Sequence, residues 1–251
     1  MGKHEITQSQ FDAYRSSVSL GTNPYWATNG ANRPANQTSW FEAAQFVNWL
    51  NTSEGHQAAY QMSDSVIDID GITFDAWDSS VAANGGTNLY RHKDAVYFLP
   101  SEDEWVKAAY WNGSDIQEYA IGAGVNAPSN DVVTGSNYYD GGYAVGSPDY
   151  LWDVASGGEE INGTFDMMGN LWEWSESAWN ATYGDTADRS IRGGRFNGTG
   201  YYLSASYRLG YSPYYENDYV GFRVASVPEP CTIAMLAIGG VTAIRRRRAK
   251  H

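Results

Sequence analysis

Cysteine and histidine, the usual protein ligands of transition metals, are scarce in this chain of 251 residues. The one cysteine, Cys231, excludes an intrachain disulfide and any C-x-x-C site for a metal or for redox chemistry. The four histidines, His4, His56, His92 and His251, are widely separated along the sequence. Their spacing therefore does not indicate an iron, copper or zinc centre, which needs two or three converging ligands.

Charged residues are also few, and one sign dominates. They make up 18% of the chain, with 16 Lys and Arg against 29 Asp and Glu. Residues 1–226 alone hold 11 basic and 28 acidic residues. A body of this charge repels nucleic acid, so DNA and RNA partners are not expected. It would attract cations, although solubility is the simpler interpretation of the charge.

Aromatic residues and glycine, by contrast, are abundant, with 10 Trp, 19 Tyr and 27 Gly. Disordered chains are poor in aromatic residues, and long heptad helices need a composition dominated by Ala, Glu, Lys and Leu, so both classes are excluded. A chain of this length is sufficient to bury a substantial core. The composition predicts a loop-rich globular domain with an aromatic interior.

Two capping boxes predict the starts of two short helices. Ser39 precedes Glu42, and Ser101 precedes Glu104, each pair at the spacing at which the two side chains cap each other's backbone N–H groups. Apolar residues at helical spacing follow both, and each helix is predicted to span about 11–13 residues. Short strands are predicted at residues 5–7, 96–99, 189–192 and 220–224.

The last 25 residues differ sharply from the rest in composition. Pro228, Glu229 and Pro230 are followed by the uncharged run 231–244 and then by four arginines, Arg245, Arg246, Arg247 and Arg248. An apolar run that ends in arginines is typical of a membrane segment with a cytoplasmic basic end. At about 1.5 Å per residue, however, 14 residues are too short for a layer of roughly 30 Å. The pattern favours a sorting or transient anchoring signal.

This tail resembles the PEP-CTERM sorting signal of Gram-negative bacteria. The resemblance implies an exported protein of the cell surface or extracellular space, processed by an exosortase-type sorting machinery and transiently anchored in the inner membrane through residues 231–248. The alternative is a fortuitous hydrophobic tail. Residues 1–7 do not have the pattern of a signal peptide, so the natural start is expected upstream. We therefore predict two parts, a domain at 1–226 and a sorting signal at 227–251.

Four segments together resemble the formylglycine-generating enzyme, or sulfatase-modifying factor, family. They are NRPANQTSWFEAAQF (32–46), YFLPSEDEW (97–105), DMMGNLWEW (166–174) and IRGGRF (191–196), the last followed by Tyr207-Arg208 and by GFR at 221–223. The opening GKHEIT (2–7) resembles the first strand of the family. The resemblance implies an α+β, variant C-type-lectin-like fold with little regular secondary structure and long loops.

The resemblance also implies calcium as a cofactor. Asn170 and Glu173 match one family site, and Asn137, Tyr138 and Asp140 are weaker candidates for a second. Calcium takes hard oxygen ligands, which carbonyl-rich loops supply. The alternative for Asn170 and Glu173 is hydrogen bonding in a turn.

The copper centre of the family's enzyme has no equivalent in this sequence. The enzyme holds copper(I) on two cysteines that follow the Arg-Gly-Gly segment, and soft thiolates are the ligands that this ion requires. Gly198 and Leu203 occupy the matching positions here, and neither can bind the metal. The helical module with an iron-binding histidine cluster, found in the ergothioneine-type branch, has no counterpart either. Copper and iron are therefore not expected.

Three functional classes remain. The preferred hypothesis is a non-catalytic binding module whose aromatic side chains grip a polysaccharide or a peptide; the second is a purely structural surface protein. The third is a metal-dependent oxidoreductase of this family with an unrecognised site, for example His92 with Asp94. For the aromatic side chains, core packing is the alternative to ligand binding. The candidate ligand-binding residues are Tyr201, Tyr202, Tyr207, Arg208 and Tyr211, together with Tyr214 and Tyr215.

Overall fold

Short helices and strands are joined by long loops. The computed structural model describes residues 1–21, 30–62, 72–121, 128–131, 135–147 and 150–227. In chain order the elements are α1 (Gln8–Ser17), α2 (Trp40–Ser53), β1 (Gln61–Met62), β2 (Phe74–Asp75), α3 (Ala83–Gly86), β3 (Asn88–His92), β4 (Tyr97–Phe98), α4 (Glu102–Tyr110), β5 (Trp172–Ala178), β6 (Arg189–Arg192), a 3-10 helix (Gly200–Leu203), β7 (Leu209–Tyr211), β8 (Val220–Gly221) and β9 (Ala225–Ser226).

Both predicted capping boxes form. The Ser39 hydroxyl accepts a hydrogen bond from the Glu42 N–H at 3.2 Å, and the Glu42 carboxylate accepts one from the Ser39 N–H at 2.8 Å. Ser101 and Glu104 repeat this arrangement at the start of α4. Helix α2 has 14 residues and α4 only 9. Helix α4 is shorter than predicted because Trp111 adopts an extended conformation and ends it.

The prediction of a strand at residues 5–7 was wrong. Only Thr7 forms a bridge, to Pro34, and the following residues begin helix α1. Thr7 caps this helix in a third capping box: its hydroxyl accepts from the Gln10 N–H at 3.2 Å, and the Gln10 side chain accepts from the Thr7 N–H at 2.9 Å. The Thr-x-x-Gln spacing was the signal that sequence analysis missed.

A four-stranded sheet with the order β7-β6-β5-β8 forms the centre of the domain. Strands β5, β6 and β7 are antiparallel neighbours, whereas β8 runs parallel to β5. Strand β6 has the predicted bounds. Strand β8 ends at Gly221, earlier than predicted, because the chain beyond it bonds to the N-terminal segment: the Ile6 N–H donates to the Phe222 carbonyl at 3.0 Å.

Strand β5 is buried on both faces. Trp172 and Trp174 belong to one aromatic core with Trp40 and Phe222, and they are almost completely buried. Glu173 points away from them and accepts a hydrogen bond from the Trp105 indole at 2.7 Å. This alternation, which is that of an extended strand, carries one carboxylate into the protein interior.

The two ends of the domain meet. The Gly2 N–H donates to the Val224 carbonyl at 2.7 Å, and β9 pairs with β4 through Phe98 and Ala225. The described chain stops at residue 227. The predicted sorting-signal residues Pro228–Pro230 and Arg245–Arg248 lie outside the described residues. None of the helices in the described part of the chain combines the length and the apolar character needed to span a bilayer.

Candidate functional site

A buried ion pair joins β5 to the end of the domain. The Arg223 guanidinium donates to both carboxylate oxygens of Glu173, at 2.6 and 2.5 Å, and both side chains are fully buried. Arg223 also donates to the backbone carbonyls of Gly2, Lys3 and Phe165. Burial alone would lower the pKa of Arg223, but the charge and hydrogen bonds of Glu173, together with the charges of Glu5 and Glu160, outweigh it and raise that pKa above its ordinary value.

Three further carboxyl groups, those of Glu5, Glu160 and Asp166, surround this pair, and burial disfavours their charged forms. Burial raises the pKa of Glu160 to about 8 and that of Asp166 to about 6. The pKa of Glu5 lies well above its usual range because of burial and then because of the charges of Asp166 and Glu173. Protons are therefore retained here at pH values where exposed carboxyl groups are ionised.

Two predicted metal-ligand residues lie beside these carboxyl groups. The Asn137 carboxamide donates to the Asn170 side-chain oxygen at 3.0 Å, and the Asn170 carboxamide donates to Glu5 at 2.7 Å. The backbone carbonyl of Asn137 also accepts a hydrogen bond from the Asn170 N–H. One oxygen of Glu5 and the side-chain oxygen of Asn137 are buried and have no hydrogen-bond partner among the residues that the structure describes.

The fit to a hard cation differs among the predicted ligands. Glu173 has both oxygens engaged by Arg223, whereas Asn137 has an unpartnered oxygen. Among the described residues, no three His, Cys, Asp or Glu side chains converge as metal ligands. A calcium ion here would therefore depend on the carboxamide of Asn137, on Glu5 and on backbone carbonyls, a donor set of the type that calcium accepts.

The remaining candidates of the second predicted metal site are spread apart. Tyr138 is buried against the cluster around Trp105, and its hydroxyl donates to the Pro128 carbonyl at 2.9 Å. Asp140 is exposed. The structure thus brings Asn137 to the buried carboxyl groups but leaves Asp140 at the surface.

The loop after β6 folds back tightly over the core. Gly193 and Gly194 adopt positive φ angles of 101° and 84°, and a side chain at Gly194 would clash with Leu203. Leu203 is completely buried, and its carbonyl accepts the Tyr110 hydroxyl at 2.9 Å. Gly198 is buried as well. The two positions matched to copper-binding cysteines are thus buried positions of this loop.

Partly exposed tyrosines cover this loop and the segment after it. We define the tyrosine surface as Tyr201, Tyr202, Tyr207, Tyr211, Tyr215 and Tyr219. Tyr201 is 70% exposed, and its ring lies 5.1 Å from that of Tyr207. Tyr202 lies 4.8 Å from Tyr207, which stacks on the buried Trp172. These contacts hold the rings in place while their outer faces remain accessible.

The other half of the tyrosine surface is equally ordered. Tyr211 and Tyr215 stack at 4.4 Å, and the hydroxyls of Tyr215 and Tyr219 lie 2.5 Å apart. The Arg195 guanidinium lies 4.0 Å from the centre of the Tyr219 ring. Tyr214, a further predicted candidate, packs against the buried Phe41 at 4.8 Å.

Arg208, predicted as a ligand-binding residue, is held by two neighbours. It donates to both oxygens of Glu102, at 2.7 and 2.6 Å, and lies 4.0 Å above the Trp179 ring. Glu102 also accepts from Arg192 at 2.8 Å. Arg195, the second arginine of the IRGGRF segment, supplies a cation at the tyrosine surface, and it was not among the candidates selected from the sequence.

The model of the sulfatase-modifying factor enzyme 1-like domain, FGE-sulfatase, matches residues 1–227. The chain belongs to this family. A search of curated proteins gives no match.

Solved structures give the family fold. Treponema denticola variable protein 1 is 22% identical with a TM-score of 0.64, over 89% of this chain and 82% of that one. CarF is 21% identical with a TM-score of 0.62, over 90% and 85%. PvdO from Pseudomonas aeruginosa is 17% identical with a TM-score of 0.60, over 90% and 79%. The predicted α+β, C-type-lectin-like fold is confirmed, and at these identities the likeness concerns the fold alone.

Membership of the sulfatase-modifying factor family explains why the quoted motifs meet in space. The DMMGNLWEW segment supplies Asp166, Asn170 and Glu173, and the GFR segment supplies Arg223, which pairs with Glu173. Arg223 lies in the GFR segment and Glu5 in the GKHEIT segment, but the sequence alone did not indicate a role for either residue. Their partners lie far away in the chain, so the only available signal was the motifs themselves.

Proposed function

We propose that this protein is a non-catalytic, exported binding module that uses the tyrosine surface to hold a polysaccharide or a peptide. One observation carries the proposal. In the loop where the resemblance assigns copper-binding cysteines, the chain has Gly198 and the buried Leu203 instead, and the same segment presents Tyr201, Tyr202 and Tyr207 to solvent.

The chemistry of the tyrosine surface supports such a role. Each ring offers an apolar face and a hydroxyl, so the surface can bury both the C–H face of a sugar and the side chains of a peptide. Contacts such as the Tyr207 stack on Trp172 fix the rings before a ligand binds, which lowers the entropy cost of binding. Arg195 adds a cation at one end of the surface.

A second candidate function is an oxidoreductase with an unrecognised site. The pair suggested by sequence, His92 and Asp94, lies on one turn with 3.9 Å between the imidazole Nδ1 and the carboxylate. Asp94 is exposed and is shared with Lys93 at 2.8 Å. This arrangement is typical of a solvated turn, so the binding hypothesis is preferred.

Calcium and export belong to the same proposal. The unpartnered oxygens of Glu5 and Asn137 favour a cation beside the buried carboxyl groups. Export and exosortase-type processing, with transient anchoring in the inner membrane through residues 231–248, are supported by the sequence of the tail.

Calcium titration of the metal-free protein, with Asn137→Ala as the matched variant, tests the cation: we expect calcium to raise the melting temperature of the natural chain more than that of the variant.

The binding role is tested on the purified protein with immobilised dextran, cellulose and chitin and with a random peptide library. We expect Tyr201→Ala to weaken binding about 5- to 30-fold, the effect of losing one aromatic anchor. Tyr143→Ala, which removes a tyrosine of 45% exposure outside the tyrosine surface, should leave binding unchanged. Equal effects of both variants, or no binding to any probe, would overturn the proposal in favour of a structural role. Conversion of a cysteine-containing peptide by the copper-treated protein would restore the enzyme hypothesis.

A further inference from the structure

A separate cleft of about 490 Å³ opens between the end of β5 and the turn before β3. We call it the Trp179 cleft, and its lining includes Asn84, Asp103, Trp179, Asn180, Tyr183 and Arg208. None of these residues belongs to the tyrosine surface or to the buried carboxyl groups around Arg223. A cleft of this volume accommodates one or two monosaccharide units or a single amino-acid side chain.

Three aromatic residues line the cleft; Tyr90 is buried, and the more exposed rings of Trp179 and Tyr183 are fixed by contacts with the rest of the fold. The Trp179 indole lies directly on Gly210, where any side chain would clash with it, and Arg208 lies over its ring. The Tyr183 hydroxyl donates to the Thr87 carbonyl at 3.0 Å, and its ring lies 4.3 Å from Tyr90. Tyr183 is still 39% exposed. The rings are therefore pre-positioned for stacking.

The polar groups of the cleft are of two kinds. Glu102 and Glu176 are neutralised, Glu102 by Arg192 and Arg208 and Glu176 by Arg91 at 3.0 Å. Their charges are therefore compensated within the protein, so they offer little attraction to a cation from solution.

The second kind is free to bind a ligand. The side chains of Asn84, Asp103 and Asn180 are exposed and form no hydrogen bond within the described part of the chain. Carboxamides both donate and accept, as sugar hydroxyls do. Because the carboxylate of Asp103 and the guanidinium of Arg208 line the same cleft, neither sign of charge dominates there, and an uncharged polyhydroxylated ligand matches the cleft better than an ion.

We infer that the Trp179 cleft binds an uncharged sugar residue, either a free monosaccharide or a terminal unit of a glycan. The apolar face of the sugar stacks on Trp179 or Tyr183, and its hydroxyls bond to Asn84, Asp103 and Asn180. A cationic side chain would instead meet the Arg208 guanidinium. The inference depends on residues separate from the tyrosine surface, so an experiment can disprove binding at one site without disproving it at the other.

The test is to titrate the full chain with glucose, galactose, mannose and N-acetylglucosamine and to measure binding by intrinsic fluorescence and calorimetry. Arginine methyl ester is titrated in the same way as the cationic probe. At least one sugar should bind, and Asn180→Ala should weaken it about fivefold or more, the loss of one ligand hydrogen bond. Trp179→Phe should weaken sugar binding more than Asn180→Ala does. The matched control Tyr143→Ala, at a tyrosine of 45% exposure outside both the cleft and the tyrosine surface, should leave sugar binding within twofold of the natural chain.

Asn180 is exposed, and its side chain forms no hydrogen bond to the described residues, so its replacement should leave the melting temperature unchanged even if Trp179→Phe fails to fold. The inference is overturned if no sugar binds, if sugars bind equally to Asn180→Ala, or if the arginine ester binds more tightly than every sugar. Loss of sugar binding on Tyr201→Ala but not on Asn180→Ala would move the sugar site to the tyrosine surface and leave the binding function standing.

Discussion

Arg223 and Glu173 have no exposed side-chain area, and each is the other's principal counter-charge. Removing one partner of such a pair leaves an uncompensated charge in the interior, which is far more costly than losing a surface ion pair. Arg223 additionally bonds three backbone carbonyls, so its loss would also leave acceptors unpaired.

We therefore predict that Arg223→Met lowers the free energy of unfolding by about 3–5 kcal/mol. Lys93→Met, which breaks an exposed pair with Asp94, should have no measurable effect. Urea unfolding followed by tryptophan fluorescence measures both. A small loss for Arg223→Met, similar to that of the control, would show that another cation compensates Glu173.

Glu42 is a titratable group at the start of α2, away from the Arg223 pair. Its pKa is raised from 4.5 to about 7, first by burial and second by the charge of Glu216, against the hydrogen bonds from Ser39 and the charge of Arg15. Tyr14 also faces Glu42, and burial followed by the Glu42 charge raises its pKa. Because the folded state keeps a proton that the unfolded chain loses, the contribution of Glu42 to stability is complete below about pH 4.5. It falls as the pH rises towards 7.

Replacing Glu42 by Gln removes this titration and keeps an oxygen that can accept from the Ser39 N–H. We expect the decline in unfolding free energy between pH 4.5 and 7 to become smaller by roughly 3 kcal/mol or less, the equivalent of the raised pKa. Thermal unfolding across this pH range measures it, with Glu54→Gln at the exposed C-cap of α2 as the control. The same decline in both variants would contradict the assignment.

Among the elements, the starts of α2 and α4 were more predictable than the bounds of β8. A capping box is local, so Ser39 and Ser101 could be identified from three-residue spacings. Strand β8 could not be bounded in this way, because whether residues 222–224 join the sheet depends on the N-terminal segment more than 200 residues away. The same reason limits prediction of the site: motifs named Asn170 and Glu173, but the partners Glu5 and Arg223 are set by long-range contacts.

The capping box of α1 allows the contribution of a helix cap to stability to be tested. Thr7→Ala removes the side-chain acceptor of the Gln10 N–H and should cost about 1 kcal/mol of stability. Thr52→Ala, in the last turn of α2, removes a hydroxyl that bonds only to carbonyls already within the helix and should cost less. The urea midpoints of the two variants decide this, and a larger loss for Thr52→Ala would rule out the cap as the source of stability.

For the whole molecule, the boundary predicted near residue 226 depends on strand β9. Ala225 and Ser226 pair with β4, and the Val227 N–H donates to the Val96 carbonyl at 3.0 Å. We expect a chain shortened after Val227 to melt at the temperature of the full chain, and a chain shortened after Val224 to melt at a lower one, because it loses this pairing. Calorimetry of the three chains measures the difference. A drop already on removal of residues 228–251 would place part of the tail in the domain.

The hydrogen bonds from Gly2 and Ile6 to Val224 and Phe222 also fix an order of events during synthesis. On the ribosome, residues 1–7 are made more than 200 residues before the partners to which they bond. Until Arg223 appears, the Glu173 carboxylate has no counter-charge, and β5 lacks its parallel neighbour. The nascent chain therefore cannot complete this domain before almost all of it has been translated, and the slow closure of such distant contacts leaves it open to chaperones in the interval.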